Sequence, residues 1–292
     1  MVAVYRAGHA GTDTSRESCC MSKTLIVAEK PSVGRDISKA LPGAFTNKDR
    51  WLEGSDYVIT WAIGHLVELA EPDTYKPEWK KWRAKDLPIM PDDFQLQPRR
   101  DDDKKQLAAI AELAKRDDVD RIINACDAGR EGELIFAYTL EWIGVDKPVD
   151  RLWISSMTAR AIKQGFEDLR TGDTMANLEA SARSRSEADW LVGMNATRAA
   201  TVRARSIFGG VVSIGRVQTP TLGILAEREQ QIRDFEPETY WNVLAEFEAP
   251  GLSPTFRGWW MHPDEKLSSK KLHWAKTADE AMAVVQRVKG KT

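Results

Sequence analysis

The sequence predicts an α/β domain, then a mostly helical domain, then the start of a strand-rich segment. Up to about residue 158, short apolar and β-branched runs alternate with helical periods. This alternation is typical of a parallel sheet with helices on both faces. From residue 159 to about 204 only helical periodicity remains, and strand-forming residues return at 240–247 and 255–260. The length of 292 residues exceeds the usual single domain of about 100 to 200 residues, which also favours several domains.

The first domain opens with the apolar run at residues 24–28, and Pro31 follows it. Proline favours the first position of a helix, so the opening unit is predicted to be strand, turn and helix. The stretch at 71–105 mixes prolines, tryptophans and charges without a period, which predicts a long irregular excursion. The other elements are predicted in this order: strand 57–63, helix 106–116, strand 121–125, helix 130–142 and strand 151–154.

Composition and charge exclude several classes of protein. Hydrophobic residues make up 42% of the chain and charged residues 29%, as in ordinary globular proteins and unlike disordered ones. The formal charge of −2 excludes a uniformly basic surface, so any nucleic-acid site must be a local patch. The three cysteines form no C-x-x-C pair, and neither a signal peptide nor a membrane span is present. We therefore expect a cytoplasmic protein without membrane contact, disulfides or structural zinc.

Two acidic residues directly follow predicted strands. Glu29 comes after the strand at 24–28, and Asp127 comes just after the strand at 121–125. Ligands of open α/β sheets bind beyond the carboxyl ends of strands, so these acids and Glu131, one helical turn later, are expected to converge on Mg²⁺. The alternative for Glu131 is favourable placement at a helix N-terminus. The two strand-end positions favour the metal site.

Five motifs in order resemble type IA DNA topoisomerases, and within that family the bacterial topoisomerase III group. Three of them are similar to the metal-binding Toprim domain: AEKPSVGRD at 28–36, GHLVEL at 64–69 and CDAGREGELI at 126–135. Two more resemble the family's helical DNA-binding region: ADWLVGMNATRA at 188–199 and SIGRVQTPTL at 213–222. The resemblance covers roughly residues 21–237. It implies Mg²⁺-dependent breakage, strand passage and rejoining of single-stranded DNA through a tyrosine phosphodiester.

The resemblance also implies roles for individual residues. Glu29, Asp127 and Glu131 would form the metal-binding acidic cluster, and Lys30 would give a proton to the departing sugar oxygen. Phosphoryl transfer depends mostly on positioning and charge stabilisation, which is what such residues supply. We expect no small-molecule cofactor beyond the metal.

A second set of residues is expected to bind single-stranded DNA. Six arginines and no lysine lie between Arg183 and Arg216, and guanidinium groups contact two phosphate oxygens at once. A solvated helical face is the alternative for those on the helix. The resemblance places DNA near the Gly-His pair and near the SIGRVQTP loop. The expected DNA-binding residues are His65, Arg185, Asp189, Trp190, Arg198, Arg205, Ser213, Arg216 and Gln218.

The sequence departs from the family pattern at two places. Gly129 stands where the family often has a middle acid, which predicts a single bound metal ion. The nucleophile of the family lies in a Tyr-x-Arg-Ser/Thr-Asp setting, and none of the five tyrosines here has it. We therefore expect an N-terminal portion of a longer enzyme that does not cleave DNA alone.

The domain organisation follows from these motifs and patterns. We predict an unassigned leader at 1–21, a Toprim α/β domain at 22–158, a helical DNA-binding domain at 159–236 and a truncated arch domain at 237–292. Two alternative functions stay open: another Toprim enzyme, such as a nuclease or primase, or a non-catalytic module that binds single-stranded DNA.

Overall fold

The structure is a computed structural model that describes residues 22–248, 251, 255–263 and 273–290. The predicted leader lies outside these residues. The strands are β1 (Lys23–Ala28), β2 (Thr46–Asn47), β3 (Trp51–Glu53), β4 (Tyr57–Trp61), β5 (Val67–Leu69), β6 (Leu96–Pro98), β7 (Val119–Ala125), β8 (Val149–Arg151), β9 (Arg170–Thr171), β10 (Leu244–Phe247) and β11 (Phe256–Trp259). The α-helices are α1 (Pro31–Ala40), α2 (Pro72–Tyr75), α3 (Asp101–Ala114), α4 (Arg130–Ile143), α5 (Ala159–Glu167), α6 (Ala176–Ala204), α7 (Gln218–Arg233) and α8 (Ala278–Val288). Single 3₁₀ turns lie at Pro77–Lys80, Ala84–Asp86 and Gly172–Met175.

A seven-stranded sheet forms the centre of the first part of the chain, in the order β2-β3-β4-β1-β7-β8-β9. Its four central strands, β4, β1, β7 and β8, are parallel. The outer strands β2, β3 and β9 pair antiparallel, so the sheet is mixed rather than wholly parallel as predicted. On one side short hairpins join β2, β3 and β4, and a hairpin can only produce antiparallel pairing. On the other side the chain returns from α5 and lays β9 antiparallel to β8.

Alternating side chains of the central strands enter two separate cores. Leu25 and Val27 of β1 pack with α3 and α4 on one face, whereas Ile26 and Ala28 pack with α1 and α5 on the other. Successive residues of a strand point to opposite faces, so the continuous apolar run of β1 is explained by burial on both sides. The predicted helices on both faces of the sheet are confirmed.

The excursion after β4 contains several short elements. Strands β5 and β6 pair antiparallel in a sheet of their own, and α2 and two 3₁₀ turns lie between them. Helix α6 then runs for 29 residues and buries Ala182 in the same core as α4. Among the helices that the structure describes, none has both the length and the apolar character needed to cross a bilayer.

Backbone contacts divide the chain into two compact units, one up to Pro220 and one from Thr221. The second unit contains most of α7, the antiparallel pair β10 and β11, and α8. Stacking of Tyr240 on Trp274, with ring centroids 4.0 Å apart, is one of its internal contacts. The predicted boundaries at residues 158 and 236 follow sequence patterns and stay predictions.

Candidate functional site

The carboxyl ends of β1 and β7 bring Glu29 and Asp127 together. The two strands are parallel neighbours, with Ala28 paired to Ala125, so the residues that follow them lie at one edge of the sheet. The backbone N–H of Asp127 donates a hydrogen bond to Oε2 of Glu29 over 3.3 Å. Glu29 is buried, whereas the side chain of Asp127 is exposed. Two of the three predicted metal ligands thus lie together.

The ammonium group of Lys30 lies between these two carboxylates. Its Nζ is 3.2 Å from Oε1 of Glu29 and 3.4 Å from Oδ2 of Asp127. The hydrogen bond and charge of Glu29, followed by the charge of Asp127, raise the pKa of Lys30 above its ordinary value. Lys30 is therefore protonated at neutral pH, and it offsets the repulsion between the two acids.

Glu131 lies apart from the Glu29 and Asp127 pair and contacts His65 instead. Nε2 of His65 is 3.0 Å from Oε2 of Glu131. Over the residues that the structure describes, no group of three His, Cys, Asp or Glu side chains has the arrangement of a metal site. The structure thus pairs the exposed Glu131 with His65 and brings only Glu29 and Asp127 together, and metal binding by all three acids stays a prediction.

A left-handed turn after β4 places His65 at this edge. Ile63 and Gly64 both have positive φ, at 56° and 76°. A β-branched residue rarely adopts this conformation, so the turn is strained at Ile63. The N–H of Gly64 donates to the backbone carbonyl of Glu29 over 3.1 Å. The strained turn thus ties the His65 segment directly to the residue that carries the first acid.

A buried arginine supports the Asp127 segment, and sequence reasoning missed it. Arg151, at the end of β8, is only 1% exposed. Its Nη2 donates to the carbonyl of Asp127 over 2.7 Å, and its Nε donates to Oε2 of Glu133 over 2.9 Å. Its Nη1 donates to the carbonyls of Asn124, Cys126 and Leu152. One side chain thus satisfies four carbonyls and a buried carboxylate around the acidic edge.

Two glycines near Asp127 differ in whether the surrounding structure has room for a side chain. A Cβ on Gly132 would lie 2.1 Å from the carbonyl oxygen of Asp127, so only glycine fits there. A Cβ on Gly129 would meet nothing within 4 Å. Position 129 thus has room for the acidic side chain that the family often has there. The surrounding structure does not require glycine at this position.

Helix α6 and the loop after it bring three of the expected DNA-binding residues together. Nη1 of Arg216 is 2.9 Å from Oδ1 of Asp189, and Nε of Arg185 is 3.7 Å from its Oδ2. All three side chains are exposed. We call this group the Asp189 cluster. It presents two guanidinium groups that an intervening carboxylate holds in place.

Two threonines of α6 fix the loop that carries Arg216, and sequence reasoning missed them as well. The hydroxyl of Thr197 donates to the carbonyl of Ile214 over 3.1 Å and accepts from its N–H over 2.9 Å. The hydroxyl of Thr201, one turn later, accepts from the N–H of Val212. Their spacing of four residues puts both on one face of the helix, which is the signal that could have identified them.

Ser213 and Gln218 lie at the ends of the same loop. The hydroxyl of Ser213 donates to Oε1 of Gln218 over 3.4 Å. Gln218 is also the first residue of α7, and both residues are exposed. These two expected DNA-binding residues therefore lie on the surface of the loop that carries Arg216.

Arg198 and Trp190 are not on the surface in the way the sequence suggested. Arg198 is 5% exposed, donates to the carbonyl of Trp79 and lies 5.2 Å above the ring of Trp82. The indole of Trp190 donates to the carbonyl of Ala70 over 3.1 Å and packs against Tyr75 and Phe94. The excursion after β4 covers both side chains, which a helical period cannot reveal. Arg205, by contrast, is exposed just after α6.

Comparison with known proteins identifies the class. The family described as Toprim domain matches residues 24–157, and the family described as DNA topoisomerase matches residues 173–292. The chain belongs to the type IA DNA topoisomerase family. Because the second match covers the helical region, the alternatives of a Toprim nuclease or primase lose their support.

The curated relatives place the chain more narrowly, beside DNA topoisomerase 3. It is 47% identical to that of Bacillus subtilis over 233 residues, which are 80% of this chain and 31% of the relative. It is 43% identical to that of Bacillus licheniformis over 266 residues, which are 91% of this chain and 35% of the relative. The chain thus spans about a third of the length of these relatives.

A solved structure shares the fold. Topoisomerase I from Thermotoga maritima aligns with a TM-score of 0.53 and 21% identity, over 85% of this chain and 36% of that one. At this identity the likeness concerns the fold. Toprim domains of topoisomerases bind Mg²⁺, and the family acts on DNA.

Proposed function

We propose that this chain is the part of a type IA topoisomerase that binds single-stranded DNA and prepares one phosphodiester for breakage. The observation that carries the proposal is the meeting of Glu29, Lys30 and Asp127 at the carboxyl ends of β1 and β7. The Asp189 cluster and the loop with Ser213 and Gln218 offer exposed groups for the sugar-phosphate backbone. In the complete enzyme, breakage, strand passage and rejoining would follow.

The residues at the acidic edge fit a magnesium ion. Glu29 and Asp127 already share one cation, the ammonium of Lys30, and carboxylate oxygens are the ligands that Mg²⁺ prefers. These two residues would hold the ion, with waters completing its coordination. Once bound, it would neutralise charge on the phosphate being transferred. Glu131 would take part only after leaving His65, so we assign it no more than a contact through water.

Lys30 would serve as the acid of the cleavage step. A tyrosine oxygen attacks phosphorus, the bond from phosphorus to the sugar oxygen breaks, and the departing oxygen takes a proton from Nζ of Lys30. The hydrogen bond that Lys30 donates to Glu29 raises the pKa of Lys30, and it keeps that proton in place until the leaving group develops charge. Because no tyrosine of this chain has the family setting, the nucleophile would come from elsewhere in the complete enzyme.

Thermal melts with increasing Mg²⁺ test the metal assignment. We expect stabilisation of roughly 1.4 kcal/mol when Mg²⁺ exceeds its dissociation constant about tenfold. Glu29→Gln and Asp127→Asn should abolish the shift, and Lys30→Gln should enlarge it because the carboxylates then lack their ammonium. Asp101→Asn is the matched control, since Asp101 is also an exposed acid beside a lysine, with Lys104 2.7 Å away.

An equal Mg²⁺ shift in the wild type, Glu29→Gln and Asp127→Asn would contradict the site. Binding of single-stranded DNA without any Mg²⁺ shift would instead favour the second candidate, a DNA-binding module without metal chemistry. The exposed Asp189 cluster is the observation that supports this second candidate.

A further inference from the structure

A cavity of about 330 Å³ lies at the end of α6. Trp82, Thr201, Arg205, Phe208 and the backbone at 209–211 line it. None of these residues belongs to the acidic edge or to the Asp189 cluster. The volume is at the lower end of the range found for small-molecule sites in proteins.

The ring of Trp82 forms one wall of the cavity, and Arg198 holds this ring in place. Trp82 belongs to the excursion after β4, and the buried guanidinium of Arg198 lies 5.2 Å above its ring. Nε of Arg198 is buried and makes no hydrogen bond among the described residues. A desolvated guanidinium against an indole is a strong form of cation–π contact, so it holds Trp82 in one orientation.

The second ring of the cavity is exposed and is also held in place. Phe208 is 54% exposed, and its N–H donates to the carbonyl of Ala204 at the end of α6. A Cβ at Gly210 would lie 2.9 Å from Cε1 of Phe208, so the ring rests directly on the glycine backbone. An exposed, oriented phenylalanine beside an oriented tryptophan is a surface for stacking a flat ring.

The charge around the cavity favours a polyanion. Arg205 lines the cavity and is exposed, and it makes no ion pair with a described carboxylate, unlike Arg183, Arg185 and Arg216. Aromatic rings combined with unpaired cations are the features with which proteins bind the bases and phosphates of single strands. Asp189 and Ala204 are 15 residues apart on α6, so the end of the helix beside the cavity lies about 22 Å along the axis from Asp189, at 1.5 Å per residue.

We propose that this cavity binds one unstacked base of single-stranded DNA. The base would stack on Phe208 beside Trp82, and Arg205 would contact the adjoining phosphate. The site would extend the DNA-binding surface along α6 beyond the Asp189 cluster. This inference rests on the proposed binding of single-stranded DNA, but it concerns a base, whereas the Asp189 cluster concerns the backbone.

Anisotropy titrations with two labelled oligonucleotides test the proposal on the full 292-residue chain. One is an ordinary single strand, and the other has the same length but abasic sites, so it keeps the phosphates and lacks the rings. Phe208→Ala should weaken binding of the ordinary strand about 5- to 150-fold, from the ~1–3 kcal/mol of one stacked base, and should leave abasic binding unchanged. Phe208→Trp should restore ordinary binding because it restores a ring.

Controls separate this proposal from the broader one. Arg216→Ala should weaken both oligonucleotides, and Phe235→Ala, another exposed phenylalanine, should weaken neither. If Phe208→Ala binds both strands as the wild type does while Arg216→Ala weakens both, the base site is overturned and the proposed function stands. Equal loss on both strands for Phe208→Ala would also overturn it, and absence of any binding by the wild type would overturn the proposed function itself.

Discussion

Arg151 shows how much of the acidic edge depends on one buried side chain. Its guanidinium donates to the carbonyls of Asn124, Cys126, Asp127 and Leu152 and to the carboxylate of Glu133. Burial raises the pKa of Glu133, and the charge of Arg151 opposes that rise. The pair is therefore interdependent: either partner alone would leave an uncompensated charge in the interior.

Replacing Arg151 by lysine should be costly although the charge is kept. A single ammonium cannot reach the five acceptors that the planar guanidinium meets, so we expect a loss of about 3–5 kcal/mol in the free energy of unfolding. Urea denaturation measures it. Arg121→Lys, which alters the pair of the exposed Arg121 with Asp150 and keeps the charge, should cost about 0–1 kcal/mol. Equal losses in the two variants would show that Arg151 is not a specific support.

At the scale of elements, an ion-pair group joins β3, the second strand from one edge, to β1 and to the segment between α3 and β7. Glu53 ends β3 and contacts Lys23 of β1 at 2.7 Å and Arg116, just after α3, at 2.9 Å. Arg116 in turn contacts Asp118 at 2.7 Å. Charges from three elements thus meet at the amino end of the sheet, opposite the acidic edge.

This group should make stability depend on pH in the acid range. Burial alone would raise the pKa of Glu53, but hydrogen bonds from Arg116 and Lys23 outweigh it and lower the pKa from 4.5 to about 2. A pKa lowered by folding contributes stability that is complete above pH 4.5 and is lost as the pH falls towards 2. The difference in unfolding free energy between the wild type and Glu53→Gln should therefore shrink over that window.

Urea denaturation at several pH values measures this difference. Glu112→Gln is the control, because Glu112 is exposed on α3 and makes no ion pair with a described residue. Its difference from the wild type should vary less with pH. A difference for Glu53→Gln that stays constant from pH 5 to pH 2 would refute the linkage.

At the scale of the whole molecule, the six arginines between 183 and 216 do not form one cationic face. Arg183 contacts Glu141 and Glu179, and Arg198 is buried. Arg185 and Arg216 share Asp189. The local excess of positive charge in the sequence therefore overstates the charge that DNA can meet.

The salt dependence of DNA binding should reflect the smaller number of arginines that can contact phosphate. With Arg185, Arg205 and Arg216 as phosphate contacts, the slope of log affinity against log salt for a single strand should be about −2, whereas six contacts would give about −4. Arg216→Ala should make the slope shallower by about 0.7. Arg121→Ala, on the amino half of β7, should leave it unchanged. A wild-type slope near −4 would mean that Arg183, Arg198 and Arg203 also contact phosphate.

Features that depend on local pattern could be predicted from the amino-acid sequence alone. The apolar run of β1, Pro31 at the first position of α1 and the acids after β1 and β7 all follow from neighbouring residues, and the structure confirms them. The motifs that indicated the family are local as well. The edge strands escaped prediction because two or three residues, such as Thr46–Asn47, are too few to show a period.

Contacts between side chains that are far apart in the sequence became known from the folded chain. Glu131 contacts His65, 66 residues away, and Arg198 reaches the carbonyl of Trp79, 119 residues away. Both partners lie on segments without any period, so no pattern near Glu131 or Arg198 marks the contact. A charged residue gives the same sequence signal whether it faces solvent or a distant carbonyl. Folding determines what covers such a residue, and for this reason the position of the acids at strand ends could be predicted, whereas the burial of Arg151 and Arg198 could not.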